Sequence, residues 1–178
     1  MMAAIGAFDA KIFHIINGSW SNPLFDFLMP LVSELGSSEI LFIISLAIFA
    51  LRRKADGGRL AVLLFAGLTV TFYIVYFLKS ASLRPRPHLV FPQANILEAA
   101  RGSSFPSGHT AQAFMAATVF SSAFRRMRIP FFAAAAMVGY SRIYLGAHFL
   151  TDVVCGAVIG LCAGYALVQA AGPKETAS

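Results

Sequence analysis

The chain of 178 residues is 58% hydrophobic and only 12% charged, and its mean hydropathy is +0.72. Ordinary soluble domains carry about 25% charged residues, so this composition excludes that class and predicts an integral membrane protein. The length suits one membrane-embedded domain over residues 1–178. Its partners are expected to be the lipid bilayer and a membrane lipid, with no nucleic acid and no obligate protein partner.

Apolar residues at helical spacing predict seven helical segments in chain order. The first, within residues 1–20, mixes apolar and polar positions and is expected to lie as a helix at the membrane interface. Six further segments follow at about 22–35, 38–52, 59–79, 107–124, 129–145 and 148–171, and the tail 172–178 is expected to fray. The predicted fold is all-α, a polytopic membrane helical bundle of about six transmembrane helices plus an N-terminal interfacial helix. A helix needs about 20 residues to cross upright, so the first two of the six are short and five spans is the alternative.

Basic residues in two short turns predict the orientation. Residues 52–59 read RRKADGGR and residues 124–130 read FRRMRIP, and both turns lie on one side if the third and fourth segments each cross once. The positive-inside rule makes that side cytoplasmic. Cations also lie on the opposite side, where topology does not explain them: Lys79, Arg84, Arg86, Arg101 and Arg142. A bound anion explains these cations, and snorkelling to lipid headgroups is the alternative for Arg84 and Arg101.

Three short groups of residues face that opposite side. The first is Lys79 followed after six residues by Arg86-Pro87, within a long proline-rich loop at about 80–106. The second is Pro106-Ser107-Gly108-His109, and the third comprises Ser141-Arg142, His148 and Asp152. Together they define a region of candidate catalytic motifs over residues 79–152.

The second group has the features of an anion site at a helix N-terminus. Free backbone N–H groups and the helix dipole attract anions there. Pro106 suits the first helical turn, where it loses no hydrogen bond, and Gly108 permits close approach to the backbone. His109 then projects beside the anion and is placed to protonate a leaving oxygen.

The third group pairs a histidine with a carboxylate. His148 and Asp152 are four residues apart and share one helix face. A carboxylate on one ring nitrogen leaves the other nitrogen as a nucleophile, and an intramembrane Asp is usually functional. A buried structural pair is one alternative, and zinc is another that lacks a third and fourth ligand. Further along the same helix face, the small residues Gly156, Gly160 and Gly164 predict close packing against another helix.

The cations complete a phosphoryl-transfer site, because such chemistry needs positive charge around the nonbridging oxygens. The sequence has no Walker-type loop and no acidic cluster for magnesium, so Lys79, Arg86 and Arg142 are expected to supply that charge. We therefore predict no cofactor and no metal site.

The three groups, in this order and spacing, resemble the signature of the type-2 phosphatidic acid phosphatase superfamily. The resemblance implies a metal-independent lipid phosphatase with a phosphohistidine intermediate. In it, His148 is the nucleophile, Asp152 its orienting partner and His109 the acid. Phosphate is implied to bind the residues Lys79, Arg86, Ser107, Gly108 and Arg142. The implied location is a bacterial inner membrane, with the site facing the periplasm or exterior.

The sequence leaves the lipid open. The resemblance favours a polyprenyl diphosphate such as undecaprenyl diphosphate, with phosphatidylglycerophosphate, phosphatidate and lipid A 1-phosphate as alternatives. A lipid phosphotransferase is the nearest enzymatic rival, and a lipid-binding or transport protein is the non-enzymatic one. We expect selectivity to depend on the loop at 88–103, whose residues follow no rule that identifies the headgroup.

Overall fold

The computed structural model describes residues 2–51 and 55–172, and side chains are described over 6–51 and 58–172. Its described part is helical, without strands. The main helices are α1 (Met2–Phe13), α2 (Pro23–Glu34), α3 (Ser38–Leu51), α4 (Ala55–Ser82), the single turn α5 (Pro87–Val90), α6 (Gly108–Ala123), α7 (Arg128–Tyr144) and α8 (Leu150–Ala170). A π-helical stretch, His14–Ser19, continues α1, and a 3₁₀ turn, Arg125–Met127, precedes α7. The predicted helical segments are confirmed to within a few residues at most boundaries. Arg52, Arg53 and Lys54 of the first basic turn, and residues 173–178 of the predicted tail, lie outside the described residues.

By length and hydropathy, the described residues contain fewer candidate membrane-spanning helices than the six predicted from the sequence. In the described ranges, Gly58–Val90 and Leu150–Ala170 are long and apolar enough to cross a bilayer. Helices α2 and α3 meet at 52° and together would form a third crossing. Because α6 and α7 have only 16 and 17 residues, they fall short of the roughly 20 that an upright span needs. The count of six spans is therefore not confirmed.

Helix α6 is the centre of the bundle and packs against α3, α4, α7 and α8. Its closest neighbour is α8, where a Cβ on Gly160 would lie 2.1 Å from the carbonyl oxygen of Ala111. A Cβ on Gly156 would similarly lie 2.5 Å from the carbonyl oxygen of Ser107. Since no side chain fits there, the glycines let the two backbones touch. The predicted close packing is confirmed, and it holds the starts of α6 and α8 side by side.

Apolar side chains fill the spaces on either side of α6. One buried cluster joins α3, α4 and α6 around Leu64 and Met115, both fully buried. A second joins α1, α2 and α7 around Phe13 and Tyr144. Because Phe13 is buried, α1 is attached to the bundle on one side, while Phe8 on its other side remains exposed.

Candidate active site

The structure places all eight predicted site residues at one end of the bundle. They lie at the end of α4, in α5's cap, at the start of α6, in the last turn of α7 and around the start of α8: Lys79, Arg86, Ser107, Gly108, His109, Arg142, His148 and Asp152. A backbone hydrogen bond of 3.0 Å from the Ser107 amide to the Asp152 carbonyl joins the second and third groups. The three motifs are therefore parts of one site.

The N-terminus of α6 forms one wall of the site. Ser107 caps the helix: its hydroxyl accepts from the Thr110 amide at 3.5 Å and lies 2.8 Å from the Thr110 hydroxyl. Pro106 precedes this cap. The prediction that Pro106 lies in the first helical turn is therefore wrong, because the helix begins at Gly108, after the Ser107 cap. The amides of Gly108 and His109 have no acceptor among the described residues. They are free to bind an anion.

His148 lies between a carboxylate and a guanidinium. Its Nδ1 is 3.6 Å from Asp152 Oδ2, longer than a hydrogen bond, and its Nε2 is 3.4 Å from Arg86 Nη1. Burial lowers the pKa of His148 to about 3; the contact with Asp152 opposes this effect, while the charges of Arg142 and Arg86 reinforce it. The imidazole is therefore neutral at physiological pH, with Nε2 directed toward the cations. A neutral ring in that orientation can act as a nucleophile.

Asp152 is held on both of its oxygens. Oδ2 accepts from the Ser104 hydroxyl at 2.5 Å and from the Phe149 amide at 2.8 Å. Oδ1 accepts from Arg84 Nη1 at 2.5 Å. Because Asp152 is fully buried, these donors keep its carboxylate in one orientation beside the imidazole.

Arg84 connects Asp152 to the N-terminal helix, a contact that sequence reasoning missed. Its Nη2 lies 2.6 Å from Oδ2 of Asp9, and its guanidinium stacks on Phe149 at 4.6 Å. Asp9, buried in α1, also accepts from the Thr151 amide at 3.0 Å and from the Thr151 hydroxyl at 2.5 Å. Arg84 therefore binds two carboxylates of the protein. The only sequence signal for this contact was an acidic residue, Asp9, among the apolar positions of α1.

The predicted phosphate-binding cations differ in how they are held. Arg86, 5% exposed, donates to the backbone carbonyls of Gly102, Arg101 and Ala147 at 2.9 to 3.0 Å. Lys79 donates to the Ser103 carbonyl at 2.7 Å. Both residues therefore order the long loop while keeping positive charge next to the site.

Arg142 makes a two-pronged ion pair with Glu98. Nη1 and Nη2 each lie 2.6 Å from one carboxylate oxygen, and Nη1 also donates to the Ser33 hydroxyl at 2.5 Å. Glu98 belongs to the loop expected to govern selectivity, but sequence reasoning did not single it out. The charge on Glu98 complements an arginine that was predicted to bind phosphate.

A cleft of about 210 Å³ opens beside His109 and is lined also by Lys79 and Gly108. It adjoins a largely apolar groove of about 430 Å³ between α3 and α4, with which it shares Ser38, Phe72 and Gln112. A further depression of about 310 Å³ continues the groove past Phe42 and Phe65. A cleft that contains a lysine and a histidine and continues into an apolar groove fits a molecule with a charged head and a hydrocarbon chain.

A metal site is absent from the part of the chain that the structure describes. Within residues 6–51 and 58–172, whose side chains the structure describes, no group of three or more His, Cys, Asp or Glu side chains could hold a metal ion. The zinc alternative therefore has no ligand set in these ranges.

Comparisons with known proteins identify the family. The model of the PAP2 superfamily matches residues 60–175. The chain is 30% identical to lipid A 4'-phosphatase of Porphyromonas gingivalis over 86% of its own length and 62% of that protein's length. It is 27% identical to undecaprenyl-diphosphatase BcrC of Bacillus subtilis over 87% of its own length and 80% of that protein's.

Two solved structures share the fold. Aquifex aeolicus LpxE superposes with a TM-score of 0.79 at 32% identity, covering 90% of this chain and 94% of that one. A PAP2-type phosphatidylglycerolphosphate phosphatase from Bacillus subtilis superposes with a TM-score of 0.80 at 25% identity, covering 98% and 90%. The predicted family resemblance is confirmed.

Proposed function

The chain belongs to the PAP2 superfamily, and from that premise we propose that it is an integral membrane phosphatase that hydrolyses a lipid phosphate or diphosphate. The observation that carries the proposal is the position of His148, whose Nδ1 faces Asp152 at 3.6 Å while its Nε2 faces Arg86 at 3.4 Å. A neutral nucleophile next to cations is what attack on a phosphoryl group requires.

In the proposed first step, Nε2 of His148 attacks the terminal phosphorus, and the bond from that phosphorus to the oxygen of the leaving group breaks. The leaving group is the lipid alcohol of a monophosphate or the lipid monophosphate of a diphosphate. His109 donates its proton to the departing oxygen, and Asp152 stabilises the positive imidazole. In the second step, water gives a proton to His109 and attacks the phosphohistidine. The bond from phosphorus to nitrogen breaks, and His148 is neutral again when inorganic phosphate leaves.

The protein's own cations are proposed to replace a metal ion in this reaction. Arg86, Arg142 and Lys79 would neutralise the nonbridging oxygens, and the free amides of Gly108 and His109 would bind one of them at the start of α6, capped by Ser107. No cofactor takes part in any step.

The proposed substrate class is a lipid with one long chain, and a polyprenyl diphosphate is our first choice. Support comes from the apolar groove between α3 and α4 that continues from the cleft. Further support comes from the 27% identity to undecaprenyl-diphosphatase BcrC of Bacillus subtilis, which extends over 80% of that protein. Lipid A phosphates and phosphatidylglycerophosphate remain the competing substrates.

The test is release of inorganic phosphate by purified protein in detergent, with EDTA present, from a panel of lipid phosphates. We expect turnover in chelator, fastest with the polyprenyl diphosphate, and an acid-labile, alkali-stable phosphoprotein after rapid quenching. Loss of turnover in EDTA that magnesium restores would contradict the metal-free mechanism. Label that moves to a second lipid instead of water would identify a phosphotransferase, and absence of turnover on every lipid would favour a binding protein.

Helix α2 lies along the site end of the bundle, because the Asn22 amide at its start is 3.1 Å from the Tyr144 hydroxyl and Ser33 near its end binds Arg142. The proposed orientation therefore has the site facing the periplasm or exterior of a bacterial inner membrane, with α3, α4, α6, α7 and α8 as five spans. It is supported by exposed Arg125, Arg126 and Arg128, which follow α6 at the end away from Gly108. In a background with Cys155 and Cys162 replaced by serine, a cysteine at exposed Gln93 should react with an impermeant thiol reagent in intact cells or spheroplasts. A cysteine at Arg126 should react only after lysis, and the reverse pattern would reverse the orientation.

A further inference from the structure

The carboxylate of Glu98 binds the guanidinium of Arg142, which the proposed mechanism assigns to the substrate's phosphate. Its two carboxylate oxygens lie 2.6 Å from Nη1 and Nη2 of Arg142. A phosphate binds a guanidinium through the same pair of N–H groups and with similar geometry. The carboxylate and a substrate phosphate therefore compete for one position.

The electrostatics place the same carboxylate among the reacting groups. Burial alone would raise the pKa of Glu98, but the hydrogen bond from Arg142 and the charge of Arg142 lower it, and His109 and His148 lower it further when they are protonated. Glu98 is thus an anion that lies close to both histidines. An anion at this position has the same neighbours, Arg142, His109 and His148, as the phosphoryl group in the proposed reaction.

Access to the site also requires that some group move. His148 and Arg142 are each only 2% exposed, and Ser33, the other side chain bound to Arg142, is 1% exposed. The Glu98 side chain is 38% exposed and comes from an irregular loop. Its backbone is attached separately, through a 3.2 Å hydrogen bond from its amide to the Leu145 carbonyl. The side chain can therefore turn outward without displacing a helix.

We propose that Glu98 is an internal anion that occupies the phosphate position of the substrate-free enzyme and is displaced by the substrate's phosphoryl group. The inference rests on the proposed function. Because the carboxylate returns to Arg142 when phosphate leaves, it weakens the binding of the product. Glu98 thereby sets the affinity of the site for phosphate and limits product inhibition.

The opposite role would be support, in which Glu98 holds Arg142 in place for phosphate. The two roles predict opposite signs for one measurement. If Glu98 competes, its neutralisation strengthens the binding of inorganic phosphate, because a repelling charge leaves the site. If Glu98 supports, its neutralisation loosens Arg142 and weakens that binding.

The experiment measures the affinity of purified, detergent-solubilised protein for inorganic phosphate by calorimetry, with Glu98→Gln compared with wild type. Glu34→Gln is the matched control, since Glu34 is an exposed carboxylate next to Ser33 at the same end of the bundle. We expect Glu98→Gln to bind phosphate about 10-fold more tightly, with a matching fall in the inhibition constant of phosphate during turnover. Glu34→Gln should bind as wild type does.

Unchanged or weaker binding by Glu98→Gln would overturn the inference while leaving the proposed function intact. If neither wild type nor the variant binds phosphate or turns over any lipid phosphate, the proposed function itself fails. If Glu98→Gln does not fold, Glu98→Asp replaces it, since the shorter acid cannot reach Arg142 as closely. Glu98→Asp should then bind phosphate more tightly than wild type, and equal or weaker binding would overturn the inference.

Discussion

The two ends of the bundle carry cations in opposite ways. At the site end, Arg86 and Arg142 are buried and bound to acceptors of the protein itself. At the other end, Arg125, Arg126 and Arg128 are exposed and follow one another in a short turn. Burial of a cation requires fixed acceptors, whereas an exposed one needs only water. The comparison therefore distinguishes cations that the protein itself binds from cations that solvent can reach.

Removal of the proposed nucleophile should separate the two ends most strongly. We expect His148→Ala to lose at least about 10⁴-fold in turnover, because the imidazole that is proposed to form the covalent intermediate is gone. Phosphoprotein after a rapid quench should vanish with it. Arg126→Ala, at the exposed end, should change turnover by less than about twofold. Near-normal turnover by His148→Ala would refute its assignment as nucleophile.

An arginine-to-lysine exchange should have unequal effects at the two ends. Arg86 donates to three backbone carbonyls and faces His148, and a single ammonium group cannot span those acceptors. We expect Arg86→Lys to lose about 10²–10³-fold in kcat, the range seen when one stabilising donor is removed from a transition state. Arg126→Lys, measured in the same phosphate-release assay, should match wild type. Equal losses of kcat in the two variants would contradict the proposed difference between the two ends of the bundle.

Asp9 sharpens the comparison, because it reaches the site indirectly, through Arg84 and Thr151. In Asp9→Asn the charge that balances Arg84 is lost, so Arg84 offsets more of the Asp152 charge that stabilises a positive His148. We expect kcat to fall about 10-fold with KM unchanged, as for other groups that orient a reacting side chain. Lys11→Gln, on the exposed face of α1, should leave both constants unaltered.

A purely structural role for Asp9 would give a different pattern. Thermal stability would fall in Asp9→Asn, while kcat and the rate of phosphohistidine formation would stay at wild-type values. Asp9→Glu should restore most of the lost kcat, since it keeps the charge. Failure of that rescue together with normal phosphohistidine formation would contradict the positioning role.

Acid should destabilise the folded protein through His148. The pKa of His148 is lowered by burial to about 3 in the folded protein, compared with about 6.5 for an exposed histidine. Between these values the unfolded chain binds a proton that the folded protein excludes, so stability falls as pH decreases, by up to about 1.4 kcal/mol per pH unit. Thermal melts of His148→Gln should show a shallower decline from pH 6.5 to 4.5 than those of wild type. Parallel curves would contradict the low pKa.

Helix positions and the convergence of the motifs could be predicted from the sequence because both depend on local patterns. Hydrophobic periodicity placed the helices, and the four-residue spacing placed His148 and Asp152 on one face. The glycines at 156, 160 and 164 correctly indicated contact between α8 and another helix, since a repeat of small residues has few other uses in a membrane.

The partners of the charged groups could not be predicted, because they come from distant and irregular parts of the chain. Glu98 lies 44 residues from Arg142 and in a loop without periodicity. Asp9 lies 75 residues from Arg84 and is buried only because α1 packs against the bundle. Snorkelling was one expectation for Arg84, whereas the structure gives it two carboxylates. Only tertiary packing selects among such pairings.

The contact between Asp9 and Thr151 has a consequence for the order in which the protein is made. The two residues are 142 positions apart, so α1 leaves the ribosome well before its partner exists. At about 5–20 residues per second the delay is roughly 7–28 seconds, during which the Asp9 carboxylate has no native acceptor site. A charged carboxylate in the hydrocarbon of the bilayer has a high free energy, whereas the same group at the membrane surface stays hydrated. Docking of the first helix is therefore expected to be among the last events of biogenesis, after α8 has inserted.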